Sequence, residues 1–152
     1  MRDNSLFDDA LAHYPDASDQ LVIDAVRAWF RPHCDAVRGS QTWRDVLSEI
    51  GPTRDGLHRF DMFMAELARA ARRPLDIRCR CAHEFAGDET RLLQSIACLQ
   101  SNDRMAARVL LTDWITSSAI DRLADNTHWF AMTLLDAGVI VSKRARRATY
   151  FH

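Results

Sequence analysis

The sequence predicts an all-α protein, an irregular bundle of five to seven helices. Three observations predict it. Glycine and proline are sparse, five and four in 152 residues, too few for the many tight corners of a sandwich or barrel. Apolar residues recur at three- and four-residue steps over several stretches of helical length. Most connections between those stretches are short, so neighbours pack antiparallel. A hydrophobic share of 47% and a charged share of 27% suit a globular chain, and 152 residues are enough to bury one core without staples. The expected organisation is an N-terminal arm over 1–17, a helical domain over 18–142 and a basic tail over 143–152.

The arm carries a short helical pattern: Ser5 and Asp8 have capping-box-like spacing, and Leu6, Phe7, Ala10 and Leu11 share a side before Pro15. Ser18 is the expected N-cap of the next helix, DQLVIDAVRAWFR. Leu21, Val22, Ala25, Val26 and Trp29 lie on one face, widened by Ile23 and Phe30, with Asp24, Arg27 and Arg31 outside. Pro32 ends it. A short helix follows over about 42–50, stopped by Gly51-Pro52.

Residues 54–72 form the clearest amphipathic helix, with Thr53 as N-cap. Leu57, Phe60, Met64, Leu67 and Ala71 face inward, while His58, Met62, Glu66 and Arg69 fall elsewhere. Arg72-Arg73 complement the helix dipole and Pro74 closes the segment. After the connection LDIRCRCAHEFAG, a helix over about 88–100 turns Leu92, Leu93, Ile96 and Leu99 inward. Asn102 is the expected cap of a helix reaching Trp114. Ser117 or Ser118 caps the last long helix, which runs to Ala137 and ends on Gly138. The end, VIVSKRARRATYFH, reads as a short β element and then a basic tail.

The net charge of -1 gives no bulk attraction to nucleic acid or an anionic membrane. The start, MRDNSLFDDA, is acidic and lacks a secretory apolar run. No stretch approaches the roughly 20 apolar residues of a membrane span. The expected location is cytoplasmic, without membrane association. Thiols stay reduced there, so the four cysteines are not expected to form a disulfide framework.

The stretch RCRCAHEF, residues 78–85, carries the most chemistry. Cys79, Cys81 and His83 are the residue types that zinc binds, as thiolates and imidazole in tetrahedral array. In extended backbone, Cys79 and His83 would lie about 13 Å apart, at roughly 3.3 Å per residue. A shared ion therefore needs a tight turn through Arg80 and Ala82. Cys98 is the leading fourth ligand. It lies off the Leu92/Ile96/Leu99 stripe, with Arg91, Gln94 and Asn102. Glu84, Glu89, His128 or a second chain are the other donors.

A redox reading has a different basis. Arg78 and Arg80 flank the thiols, and positive neighbours favour the reactive thiolate. Two residues apart, Cys79 and Cys81 are poorly spaced for a bond to each other, so one of them pairing with Cys98 or Cys34 is expected instead. A third reading has both cysteines simply packed beneath the loop. His83-Glu84 does not open a zinc-protease helix, because Gly87 stands where the second histidine belongs.

ARRPLDIRCRC followed by GDETRLLQSIACLQ resembles a group of small bacterial helical proteins that share an ARRPL segment, a C-x-C and a D-E opening the next helix. The likeness covers about residues 67–100. It implies that Cys79 and Cys81 are the paired cysteines and Asp88-Glu89 the helix start, and it implies no activity. Acids at a helix N-terminus are in any case stabilising.

Lys143, Arg144, Arg146 and Arg147 concentrate positive charge near the C-terminus. The stretch LLDAGVIVSKRARRATYF looks like the end of a winged helix-turn-helix domain, where a helix, a strand and a basic hairpin approach DNA phosphates. That likeness covers residues 134–151 and implies a DNA-binding regulator. Against it, the outward face of the last helix carries Asp125 and Asp136, which repel phosphate. An acidic protein partner, or simple solvation, also accounts for the tail. Trp129 stands on that outward face too, opposite Ile120, Leu123, Ala124, Thr127, Ala131 and Leu134, and is an expected contact for a partner or a second copy.

No glycine-rich phosphate loop or nucleophile elbow is present. The expectation is a non-enzymatic helical binding or regulatory module with a zinc-binding or redox-responsive loop. A winged-helix-like transcriptional regulator is the alternative, and a thiol-dependent enzyme a second one.

Overall fold

The computed structural model describes residues 17–32, 41–51 and 54–141. Six α-helices account for most of them: α1 (Ala17–Phe30), α2 (Trp43–Ile50), α3 (Arg54–Ala70), α4 (Gly87–Gln100), α5 (Arg104–Thr112) and α6 (Ile120–Asp136). A 3-10 turn, Ser117–Ala119, leads into α6. The all-α bundle is as the periodicity predicts. No strand forms among the described residues, which carry only an isolated antiparallel bridge between Ala71 and Ile115. It is closed by Arg72 N–H on the Trp114 carbonyl (2.8 Å) and Thr116 N–H on the Ala70 carbonyl (3.1 Å).

The bundle is built around α4. Its residues 92 to 99 are all buried, including Gln94, Ser95 and Cys98. A helix apolar enough to be covered on every side belongs at the centre. α1 packs against α4, α5 and α6 cover other sides of it, and α3 packs on α6. Each leucine buried on α4 contributes about 1.5–3 kcal/mol. An aromatic cluster ties α2, α3 and α6 together. Ring centroids lie 5.4 Å apart for Trp43 and Phe60, 5.0 Å for Phe60 and Phe130, and 5.8 Å for Phe63 and Phe130.

Helix ends follow local chemistry. Thr42 and Asp45 make a capping box at the start of α2, and Gly51, at φ 94°, ends it. α1 stops before Pro32, but it begins at Ala17, so Ser18 stands inside its first turn rather than at the cap. The cap of α5 is Asp103, whose side chain accepts from Ala106 N–H (3.1 Å). Asn102, the expected cap, instead adopts φ 62° and ends α4. There the Asn102 N–H donates to Leu99 O (3.1 Å) and the Asp103 N–H to Cys98 O (2.8 Å), a Schellman pair. Gly138, at φ 81°, repeats the motif on α6, with Gly138 N–H on Leu135 O (2.9 Å) and Val139 N–H on Leu134 O (2.8 Å).

Residues 139–141 form no strand. Their backbone pairs with a side chain instead. The Gln100 amide donates to Val139 O (2.9 Å) and accepts from Val141 N–H (2.8 Å). A single amide thus satisfies groups that a neighbouring strand would otherwise pair. The arm 1–16, Cys34, Thr53 and the basic tail with Lys143, Arg144, Arg146 and Arg147 lie outside the described residues.

Candidate functional site

The connection from α3 to α4 has little regular structure, yet several of its polar groups are held from elsewhere. Ile77 is buried and anchors its middle. Arg31, at the end of α1, donates to the Ile77 carbonyl at 2.7 Å. Arg27, one turn earlier, has no solvent exposure. It donates to the Ala82 carbonyl (2.9 Å) and the Glu84 carbonyl (3.0 Å), and its guanidinium lies 5.7 Å from the Phe85 ring centroid.

Arg27 is neutralised by Glu89, itself fully buried, through two parallel bonds: Nε to Oε2 at 2.7 Å and Nη2 to Oε1 at 2.9 Å. Paired forks of this kind make a buried charge tolerable. Glu89 also accepts Ala86 N–H (2.8 Å) and Arg78 N–H (3.3 Å), so it caps α4 and binds the loop at once. The expectation that Arg27 faces outward is therefore overturned. Its position was marked in the sequence all the same. Ile23 and Phe30, the residues that widen the apolar face of α1, stand four residues before Arg27 and three after it.

Asp88 is the second hub. It accepts both arms of Arg73 (2.8 Å each), Asp76 N–H (2.7 Å) and the Trp114 indole N–H (3.0 Å). The bonds from Arg73 pull its pKa down to about 2, against the opposing effect of burial. Asp88 and Glu89 thus do more than complement a helix dipole. Glu66 departs from its expected place as well. It is buried, and although burial raises its pKa, bonds from Arg69 and Arg122 bring it below the usual value.

Between these anchors lies the cysteine turn. Ala82 N–H donates to the Cys79 carbonyl at 2.9 Å, so residues 79–82 close a β-turn without glycine. Arg80 points away and donates to Gln41 O at 2.7 Å. Cys79 is disulfide-bonded, against the expectation that a cytoplasmic compartment keeps the thiols reduced and in line with the redox reading that one of the two cysteines pairs elsewhere. Neither Cys81 nor Cys98 is disulfide-bonded, so neither is its partner. The Cys81 thiol is exposed and lies 3.4 Å from Cys79 Sγ, to which it donates a weak hydrogen bond.

The turn thus brings Cys79 and Cys81 together. His83 is exposed beside them. Cys98 is buried, because α4 is covered on the side the apolar stripe leaves out. Among the described residues no group of three or more His, Cys, Asp and Glu side chains gathers as a metal site would require. His128 Nδ1 is buried without a hydrogen-bond partner among the described residues. Trp129 is 51% exposed, with the Arg59 guanidinium 5.0 Å from its ring centroid. A surface depression of about 370 Å³ lies at the entry to the connection, lined by Phe30, Ala68, Ala71 and residues 72–75. No described helix is long and apolar enough to cross a membrane.

Comparison with protein families, with characterised proteins and with solved structures finds no match.

Proposed function

We propose that the protein is a non-enzymatic helical binding module of the cytoplasm whose 78–85 loop responds to thiol redox state. One observation carries the reading: a disulfide sulfur at Cys79 with a free thiol, Cys81, 3.4 Å away on an exposed turn. In a reducing compartment a disulfide is usually a transient sensing device rather than a staple. The bundle has its own core of buried apolar side chains. Ile77, Ala82 and Glu84 tie the loop to α1, so a change of state at Cys79 is felt beside the α1–α4 contact. Half-exposed Trp129, backed by Arg59, is the contact we assign to a protein partner or second copy.

The test equilibrates the full chain in glutathione buffers over the cytosolic range, roughly −220 to −320 mV, then traps thiols and maps them. The Cys79 disulfide should titrate from oxidised to reduced within that range. A Cys79 that stays wholly in one state throughout would falsify the redox reading.

A further inference from the structure

Resting on the redox reading of the same loop, we propose that Cys81 is the attacking sulfur of an internal thiol–disulfide exchange that moves the Cys79 disulfide onto the pair Cys79–Cys81. The loop then has two oxidised forms. In one, Cys79 is bonded to its present partner and Cys81 is a thiol. In the other, Cys79 and Cys81 are joined and the former partner is free.

The step balances within the protein. Cys81 loses its proton to solvent, and its thiolate attacks Cys79 Sγ. The Cys79–Cys81 bond forms as the existing bond of Cys79 breaks. The electron pair leaves on the former partner sulfur, which takes up a proton. One disulfide exists before and after, so no oxidant or reductant is consumed.

The turn supplies the proximity. Sequence spacing alone argues against a bond between residues two apart, because extended backbone separates them by roughly 6.6 Å. Here the Ala82 N–H bond to Cys79 O folds the chain back, and the sulfurs stand 3.4 Å apart. A bonded pair lies at about 2.05 Å, so Cys81 Sγ has about 1.4 Å to travel. Both ends of the turn are fixed independently of the sulfurs. Ile77 O is held by Arg31 and Arg78 N–H by Glu89 on one side, and Ala82 O and Glu84 O by Arg27 on the other. Held ends keep the two sulfurs in reach of each other whichever bond is made, which is how positioning accelerates a bond exchange. Cys81 is also exposed, so its proton has a route to water.

The experiment uses the full chain, oxidised with oxidised glutathione, desalted, and held without oxygen or thiols at pH 8. Samples taken over minutes to hours are quenched in acid, alkylated and digested with trypsin. Cleavage after Arg78 and Arg80 separates the two cysteines, so a Cys79–Cys81 bond appears as Cys79-Arg80 joined to the peptide 81–91. The joined peptide should grow to a constant fraction while alkylated Cys81 falls by that fraction. Cys81→Ser and Cys81→Ala should abolish it, leave Cys79 with one pairing throughout, and keep the helical far-UV spectrum. Cys81 alkylated in full over a day, with no joined peptide, overturns the proposal. So does a Cys79 that carries no disulfide after oxidation. The glutathione titration reads separately. If Cys79 titrates there yet no joined peptide forms, the exchange is wrong and the redox reading survives. A joined peptide with a Cys79 that does not titrate sinks the cytoplasmic redox reading and leaves the exchange.

Discussion

The two ends of α4 are held by different means. At its N-terminal end, Asp88 and Glu89 collect donors from distant parts of the chain: Arg27, sixty-two residues before Glu89, Arg73, fifteen before Asp88, and Trp114, twenty-six after it. At its C-terminal end the helix closes on its own backbone, with Asn102 and Asp103 N–H groups on Leu99 and Cys98 carbonyls. The first end is a junction of three segments held by charge, the second a local cap of six residues, beside which the neutral Gln100 amide holds residues 139–141. A junction organises a functional loop, because several segments meet there. A local cap merely stops a helix. The cysteine turn sits at the junction.

The largest expected effect breaks the junction. Arg27→Ala or Glu89→Gln leaves a buried charge without its partner and should cost about 3–5 kcal/mol in urea unfolding. Replacing both with methionine should cost clearly less than the two single losses combined, and a double-mutant cycle measures the coupling. Strict additivity would mean that the two side chains do not depend on each other.

Asp88 comes next. Its pKa in the folded protein is about 2, depressed from 3.8, so the carboxylate stabilises the fold fully above pH 4. That contribution should be lost as pH falls from about 4 towards 2, by about 2 kcal/mol in all. Asp88→Asn should lose a similar amount at pH 7 and flatten this part of the stability profile. An unchanged acid limb in the variant would assign the limb to other carboxylates.

The smallest effect lies at the other end. Asn102→Ala keeps a Cβ at φ 62° but loses the side-chain amide that lets asparagine tolerate this region, at about 1 kcal/mol. Asn102→Gly should lie within about 0.5 kcal/mol of wild type, or above it. Equal losses for alanine and glycine would show that the asparagine side chain, rather than the backbone conformation, matters.

The same contrast explains what the sequence made legible. Backbone-driven features follow from neighbouring residues. The α2 helix, the glycine ends at Gly51 and Gly138, and the leucine stripe of α4 all follow the pattern of apolar and glycine residues, whereas Thr42, which that pattern counts inside the helix, is its cap. Asn102 suits either role, the cap of the next helix or the left-handed end of α4, and the structure gives it the second. Its neighbour Asp103 takes the first. Features made by long-range pairing did not follow. Helical periodicity puts Arg27 and Glu66 off the inward faces, where a charged residue is usually solvated, and nothing local names Glu89 or Arg122 as their partners. Cys98 seemed misplaced only while α4 was treated as covered on one side. At the site, the sequence asks for a turn through Arg80 and Ala82 only as the condition for a shared metal ion, and its redox reading allows a disulfide from Cys79 to Cys98 or Cys34 without naming which; the structure excludes Cys98.

Trp114 gives the junction an optical gauge. Its indole is 1% exposed and donates to Asp88, with the Arg91 guanidinium 5.8 Å from its ring centroid, whereas Trp129 already faces water. Protonating Asp88, or drawing Arg73 off it, changes the charge next to Trp114, one of the four tryptophans in the chain. A chain that keeps Trp114 as its sole tryptophan would therefore report by emission colour whether the entrance to α4 is intact, in real time and without a label.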